Sequence, residues 1–161
     1  TIAILLQNET GALSRVASMF STRGYNIESL SVAPTQDPMI SRLTLVTEGE
    51  DAVIEQIAKQ LYKLIDVIDV LDITLLDHME VELMLIKCRL KDRKKDTLLA
   101  FVDAQAGKII SELDGYIIFE IRADYDSNND LLKTIEKMVE VVAIARSGPL
   151  ALAKGEVSIS L

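Results

Sequence analysis

Tryptophan is absent from this chain of 161 residues, which also holds one cysteine, one histidine and three prolines, with aromatic side chains at 4%. Each scarcity excludes something. A single thiol, Cys88, rules out a disulfide within the chain, and inside the apolar run Val81 to Leu90 it is expected to be a small buried hydrophobe. One histidine, His78, with no Cys-x-x-Cys or His-x-x-x-His spacing, supplies no donor set for a dedicated zinc or nickel site and no base around which to build a triad. Neither Gly-x-x-x-x-Gly-Lys-Ser/Thr nor Gly-x-Gly-x-x-Gly occurs, so the common phosphate cradles are missing. No apolar run is long enough to span a membrane and no targeting signal stands at the start, so the expected location is cytoplasmic. With so few aromatics the core must be made of Val, Ile, Leu and Ala, which suits thin layers of strands and helices and leaves little room for an enclosed catalytic cavity. No catalytic residue and no metal ligand is expected.

Charge is scarce in one sign. Twenty-five acids against 17 Lys and Arg give a net charge of −8, which repels nucleic-acid phosphates unless a local basic patch outweighs the field. The densest patch, Lys91-Asp92-Arg93-Lys94-Lys95-Asp96, is broken by acids and precedes a helical pattern, so it reads as a solvated turn. No nucleic-acid or membrane partner is expected.

Hydrophobic residues make up 49% of the chain, and their periodicity alternates between strand and helix. Thr1 to Gln7 is a short apolar run, read as a buried strand. Ala12 to Thr22 then sets Leu13, Val16, Ala17 and Phe20 at helical spacing, with Gly24 as a stop. Asn26 to Pro34 and Ser41 to Thr47 read as a hairpin around Thr35-Gln36-Asp37-Pro38, Asp51 to Leu64 as a helix and Asp66 to Thr74 as a strand. The second half repeats the order. Strand Val81 to Leu90, helix Lys94 to Ala104, strands Lys108 to Leu113 and Tyr116 to Ala123 joined by Asp114-Gly115, helix Asn128 to Glu140 and strand Val141 to Arg146 follow in turn. The expected fold class is α+β, with two ferredoxin-like βαββαβ domains at 1–76 and 80–161. The tail from Leu150 either packs back or pairs with a partner. Asp66, Asp69 and Asp72 are expected to face solvent or a partner, since a spacing of three along a strand cannot converge on one metal. Met79, Met84 and Met138 read as core filler, and Arg146, a charge ending a strand, needs a partner or a surface position.

The loop from Gln7 to Ala12 is the best candidate for a ligand site. A helix start offers free N–H groups and a partial positive charge, Gly11 removes the β-carbon that would block close approach, and Asn8 offers both a donor and an acceptor to a zwitterion. Asn26 could reach the same region from its own chain or from a second one. Spacing alone leaves another reading open, and it is the commoner arrangement: Asn8 or Thr10 as a plain N-cap and Gly11 as a turn residue.

The strings Asn8-Glu9-Thr10-Gly11-Ala12-Leu13-Ser14-Arg15-Val16, Arg23-Gly24-Tyr25-Asn26-Ile27-Glu28-Ser29-Leu30, Val32-Ala33-Pro34-Thr35, Gln56 to Val67 and Glu140-Val141-Val142-Ala143-Ile144-Ala145-Arg146-Ser147-Gly148 together resemble the regulatory small subunits of acetohydroxyacid synthase, also called acetolactate synthase. The resemblance implies that the first domain is an ACT domain and that the chain is non-catalytic. It implies activation of a large catalytic subunit and feedback inhibition by a branched-chain amino acid, usually valine. It further implies a homodimer through the ACT domains, with the effector between two copies, at positions matching Asn8, Thr10, Gly11, Ala12 and Leu13 of one chain and Asn26 and Ile27 of the other, with Ala33 tied to effector sensitivity. No cofactor is expected in this chain, because thiamine diphosphate, Mg2+ and FAD would belong to the catalytic partner. Residues 92–130 depart from the family's wording, which makes the role of the second domain less defined. The competing reading is an ACT-type sensor of another amino acid serving a different enzyme or regulator.

Overall fold

A computed structural model of the chain describes residues 1–90 and 94–159. The chain divides into two compact units, one of residues 1–79 with the segment from Pro149 on, the other of residues 80–148. Half of the expected basic turn, Lys91 to Arg93, lies outside the described residues.

In the first unit β1 (Ile2–Gln7), α1 (Ala12–Thr22), β2 (Ser29–Pro34), β3 (Ile40–Val46), α2 (Asp51–Leu61) and β4 (Val67–Asp72) follow the expected order. The strands form an antiparallel sheet in the order β2-β3-β1-β4. Alternation along β1 divides the two faces. Ile2, Ile4 and Leu6 point to the helices, where Val16 and Phe20 of α1 and Ile57 and Leu61 of α2 close the core. Those helical residues sit four apart, so each pair stacks on one side of its helix.

Ala3 and Leu5 point the other way and are still buried, at 0% and 2% exposure, because Ile159 from the end of the chain packs on them with Ile40 and Leu71. The tail from Pro149 thus packs with the first unit. After Pro149, β9 (Leu150–Ala153) lies beside the chain at Asp77, where Lys154 N–H donates to the Asp77 carbonyl at 2.8 Å. Arg42 Nη2 donates to the Ala151 carbonyl at 3.0 Å, and Ala151 is 3% exposed.

The second unit holds β5 (His78–Arg89), α3 (Lys95–Ala104), β6 (Lys108–Leu113), β7 (Tyr116–Ala123), α4 (Tyr125–Met138) and β8 (Glu140–Arg146), with sheet order β6-β7-β5-β8. Asp114 and Gly115, with φ of +52° and +78°, turn the β6–β7 hairpin as the Asp-Gly pair predicts. Cys88 is buried beside Ile86 and Met84, and burial pushes its thiol up to about 11. Met79, expected in the core, is 63% exposed. Helix α4 begins three residues before the expected Asn128, because the Asp124 carboxylate accepts from Ser127 N–H at 2.8 Å and caps it. Arg146 has found its partner: Glu82, whose side chain is 1% exposed, accepts from Arg146 Nε at 3.0 Å and from Nη2 at 2.5 Å. Arg146 also donates to Asn129 and lies over the Tyr125 ring at 4.8 Å. Buried Asn128 donates to the same carboxylate at 3.0 Å, so strand β8, strand β5 and helix α4 are pinned at one point.

The tail's contribution can be measured. Burying an isoleucine side chain is worth about 1.5–3 kcal/mol, and an aspartate at that place would also bury a charge. Ile159→Asp should lower the unfolding free energy by about 2–3 kcal/mol in denaturant titrations, whereas Leu152→Asp, at a position 61% exposed, should cost no more than about 0.5 kcal/mol. Equal effects would show that Ile159 is not a clasp.

Candidate functional site

Strand β1 passes into α1 through Asn8, Glu9, Thr10 and Gly11, and this turn is fixed from several sides. Gln7 N–H donates to the Asp66 carbonyl at 2.8 Å and Asn8 N–H to the Met39 carbonyl at 2.7 Å. The Asn8 side-chain amide donates to the Pro38 carbonyl at 2.9 Å, which fixes its orientation and leaves its oxygen and one N–H for other partners. Gly11 has φ +89°, a left-handed conformation that suits glycine. A β-carbon there would come within 2.8 Å of Arg15 Nη1. Gly11 is thus favoured by its left-handed backbone, and any side chain there would displace the Arg15 guanidinium.

Gly11, not Asn8 or Thr10, stands at the N-cap of α1, and no side chain caps that end. The plain-cap reading of Asn8 and Thr10 therefore fails. The Ala12 N–H bonds to the Glu9 carbonyl at 3.2 Å and Arg15 N–H to Gly11 carbonyl at 2.9 Å. Between them, the first-turn N–H groups of Leu13 and Ser14 have no intrahelical acceptor by the geometry of any α-helix start, and the helix dipole adds a partial positive charge. Leu13, 38% exposed, offers an apolar side chain beside those donors, while Ala12 is turned into the core at 2% exposure and can contribute only backbone.

Arg15 grips the turn. Its Nε donates to Asp66 Oδ2 and its Nη2 to Asp66 Oδ1, the latter at 2.8 Å, tying the first turn of α1 to the chain entering β4. Asp66, expected to face solvent or a partner, is 4% exposed. The three aspartates of that stretch act separately. Asp69 accepts from Tyr62 Oη at 2.7 Å, and Asp72 accepts from Thr74 N–H and Oγ1 at 3.0 and 2.6 Å. With Arg15 neutralised by Asp66, the positive potential of the loop rests on its backbone amides.

Asn26 and Ile27 are elsewhere. Helix α1 has 11 residues, so its ends are roughly 16 Å apart at about 1.5 Å per residue. Asn26 lies beyond the far end. Its side chain donates to Glu28 and its carbonyl accepts from Thr47 Oγ1 at 2.6 Å, while Ile27 packs against the core. Ala33 is at the same end of the sheet as the loop. It pairs with Arg42 of β3, which pairs with Leu5 of β1, so it stands two strands away, about 10 Å. One chain therefore brings together Asn8, Thr10, Gly11 and Leu13, with Ala33 nearby, and does not bring Asn26 to them. A cleft of about 720 Å³ lies by Thr47, Ile54 and Thr74, but Glu48, Asp51, Glu55 and Asp72 line it, the wrong sign for a carboxylate ligand. Among the described residues no cluster of three His, Cys, Asp or Glu side chains could hold a metal, and no helix is long and apolar enough to cross a membrane.

These features define a class, the two-unit α+β regulatory proteins with an amino-terminal ACT domain. Residues 2–69 match the family profile described as the AHAS small subunit-like ACT domain, and residues 81–155 match that described as the small subunit of acetolactate synthase. The acetolactate synthase small subunit of Buchnera aphidicola subsp. Schizaphis graminum is 40% identical over 96% of this chain and 98% of its own. The isozyme 3 small subunit of Escherichia coli K12 is 40% identical over 96% and 95%. The crystal structure of the acetolactate synthase small subunit from Thermotoga maritima superposes with a TM-score of 0.85 at 33% identity, covering 97% of each chain. The chain belongs to the acetolactate synthase small subunit family, whose members are non-catalytic regulatory partners of a large catalytic subunit.

The Arg15–Asp66 pair gives the site a pH signature. Hydrogen bonds from Arg15 hold the Asp66 carboxyl below the usual aspartate range. A lowered folded-state pKa means the stabilisation is complete above the unfolded value of about 4 and is lost as pH falls through the folded value. Asp66→Asn should reduce stability at neutral pH and flatten the acid limb below about pH 4. Urea denaturation across pH checks this, and an unchanged acid limb would show that the pair does not hold the turn.

Proposed function

We propose that this chain lends feedback sensitivity to a thiamine-diphosphate-dependent acetolactate synthase large subunit in the cytoplasm, by binding a branched-chain amino acid, valine first among them, between two copies of its ACT unit. The observation that carries the two-chain reading is the separation of Asn26 from the Gly11 loop by the length of α1. An antiparallel two-fold pairing exchanges the ends of whatever it pairs, so the partner's far end, Asn26 included, would arrive at this chain's loop. Strand β2 favours such a pairing. It is an edge strand of six residues, Ser-Leu-Ser-Val-Ala-Pro, with no charge to repel a neighbour, and Val32 is 41% exposed.

In this reading the effector's carboxylate meets the first-turn amides of α1 and its ammonium the Asn8 oxygen, with an Asn26 from the second copy completing the polar ring. Leu13 and Ala33 border the aliphatic side chain. A pocket of that kind separates valine from leucine or isoleucine by only about 1–3 kcal/mol per methylene. Inhibition then follows from linkage. The ligand shifts the complex toward a less active state by the free energy with which it prefers that state, commonly about 1–3 kcal/mol. An interface site supplies the preference because any shift of the two chains remakes it.

Gly11→Asp tests the site. It adds a carboxylate where one docks, crowds Arg15 and imposes a left-handed strain of about 1–3 kcal/mol. The variant should lose valine binding in calorimetry and valine inhibition in the complex with the large subunit, while still activating that subunit. Wild-type inhibition by valine would refute the assignment. Tight binding of an amino acid outside the branched-chain group to the native chain would favour a sensor of another kind.

A further inference from the structure

The two sheets of this chain treat the same surface differently. In each, the central strand of the βαββαβ unit alternates between a helix-covered face and an outer face. On the first sheet the outward residues of β1, Ala3 and Leu5, are 0% and 2% exposed under the C-terminal segment. On the second, the corresponding outward residues of β5 are Leu83 and Leu85, each 37% exposed. Register sets Leu85 between Glu120 of β7 and Ala145 of β8, and Lys87 between Ile118 and Ala143. The outer face thus has a small apolar centre. Within the second unit no described segment covers it as Ile159 covers the first.

The rim of that centre is basic, in a chain of net charge −8. Lys87 lies 4.9 Å over the Tyr116 ring and Arg89 donates to Tyr116 Oη at 3.0 Å, while Arg122, opposite Leu83, is exposed. Arg89 is shared with Glu140 at 3.4 Å and Glu120 stands opposite Leu85, so among the described residues the cations of this face, Lys87, Arg89, Lys108 and Arg122, outnumber its carboxylates, with Lys87 and Arg122 nearest the leucines. A second copy is a poor occupant, because two such faces opposed about a two-fold axis bring like charges together. The complementary surface is apolar and edged with carboxylates.

We propose that the outer face of the second sheet is where this chain docks on its large catalytic subunit, through an apolar segment of that subunit flanked by acidic residues. This rests on the family's large-subunit partnership, and not on the effector site. Leu83, Leu85 and Ile118 form the buried centre of the contact, and Lys87 and Arg122 set its orientation and its sensitivity to salt.

The test uses the full chain and the cognate large subunit, with association followed by sedimentation velocity or calorimetry. The double variant Lys87→Glu, Arg122→Glu should weaken association at least tenfold and reduce its salt dependence, and Leu85→Gln should weaken it without changing the salt dependence. Both should keep the native melting transition and native amino-acid binding by the free chain, so a loss of association is not a loss of fold. Association within twofold of native in both variants would overturn the assignment. A change in self-association with large-subunit binding intact would overturn it too, by showing that the face joins two copies. Failure of the native chain to bind the large subunit would instead strike the partnership on which the proposal rests.

Discussion

The turn from β1 into α1 is the constraint on which the first unit depends. It runs through a left-handed Gly11, and the Arg15 guanidinium occupies the space a β-carbon would need while it grips Asp66 on the far side of the sheet's central strand. Backbone conformation, helix start and ion pair fix one another. Because no side chain closes the helix start, the fold leaves its polar groups to something that is not part of the turn. Because Asp66 already pairs with Arg15, the proposed recognition of a carboxylate would fall to oriented amides. That is a weak, geometry-dependent attraction, suited to a reversible effector rather than a permanently bound group.

The same turn sets the direction of α1 and with it the distance to Asn26. A helix of 11 residues laid across strands of six and seven keeps the two halves of the polar set at opposite ends of the unit. Within one chain nothing short of unfolding could join them. In the proposed pairing, two copies related by a two-fold axis would join them, with the uncharged edge strand β2 as the contact. A site divided in this way couples ligand binding to the arrangement of subunits, which is what a regulatory subunit must transmit. The tail covers the outer face of the first sheet, whereas Leu83 and Leu85 on the outer face of the second are each 37% exposed.

Much of the fold was legible because strands and helices here carry clean periods. The start and end of α1 follow from Gly11, Gly24 and the residues Val16 and Phe20 four apart. The misses have a common cause, which is that a charged residue looks like a surface residue until its partner is known. Asp66, at the entry to β4, and Glu82, within β5, are buried where Arg15 and Arg146 reach them from 51 and 64 residues away. The Asp124 cap was readable from Asp124-x-x-Ser127 and would have placed the start of α4 correctly. The tail was not readable, since Ile159 is covered by residues near the other end of the chain. At the site, the strings around Gly11 pointed to the loop that the proposed function uses. Spacing could not show that Ala12 turns inward, that Ile27 joins the core, or that the Asn8 amide is oriented by a bond to Pro38.

The central claim, a site divided between two chains, is tested most directly by mixing two chains that each fail alone. Gly11→Asp breaks the loop half and Asn26→Ala the other half. In a mixed dimer one site carries both defects and the other carries neither. Calorimetry of the mixed dimer, purified by a tag on each chain, should therefore recover valine binding at one site per two chains with native affinity. No recovery, with each parent variant folded and dimeric, would place the whole site within one chain and contradict the account.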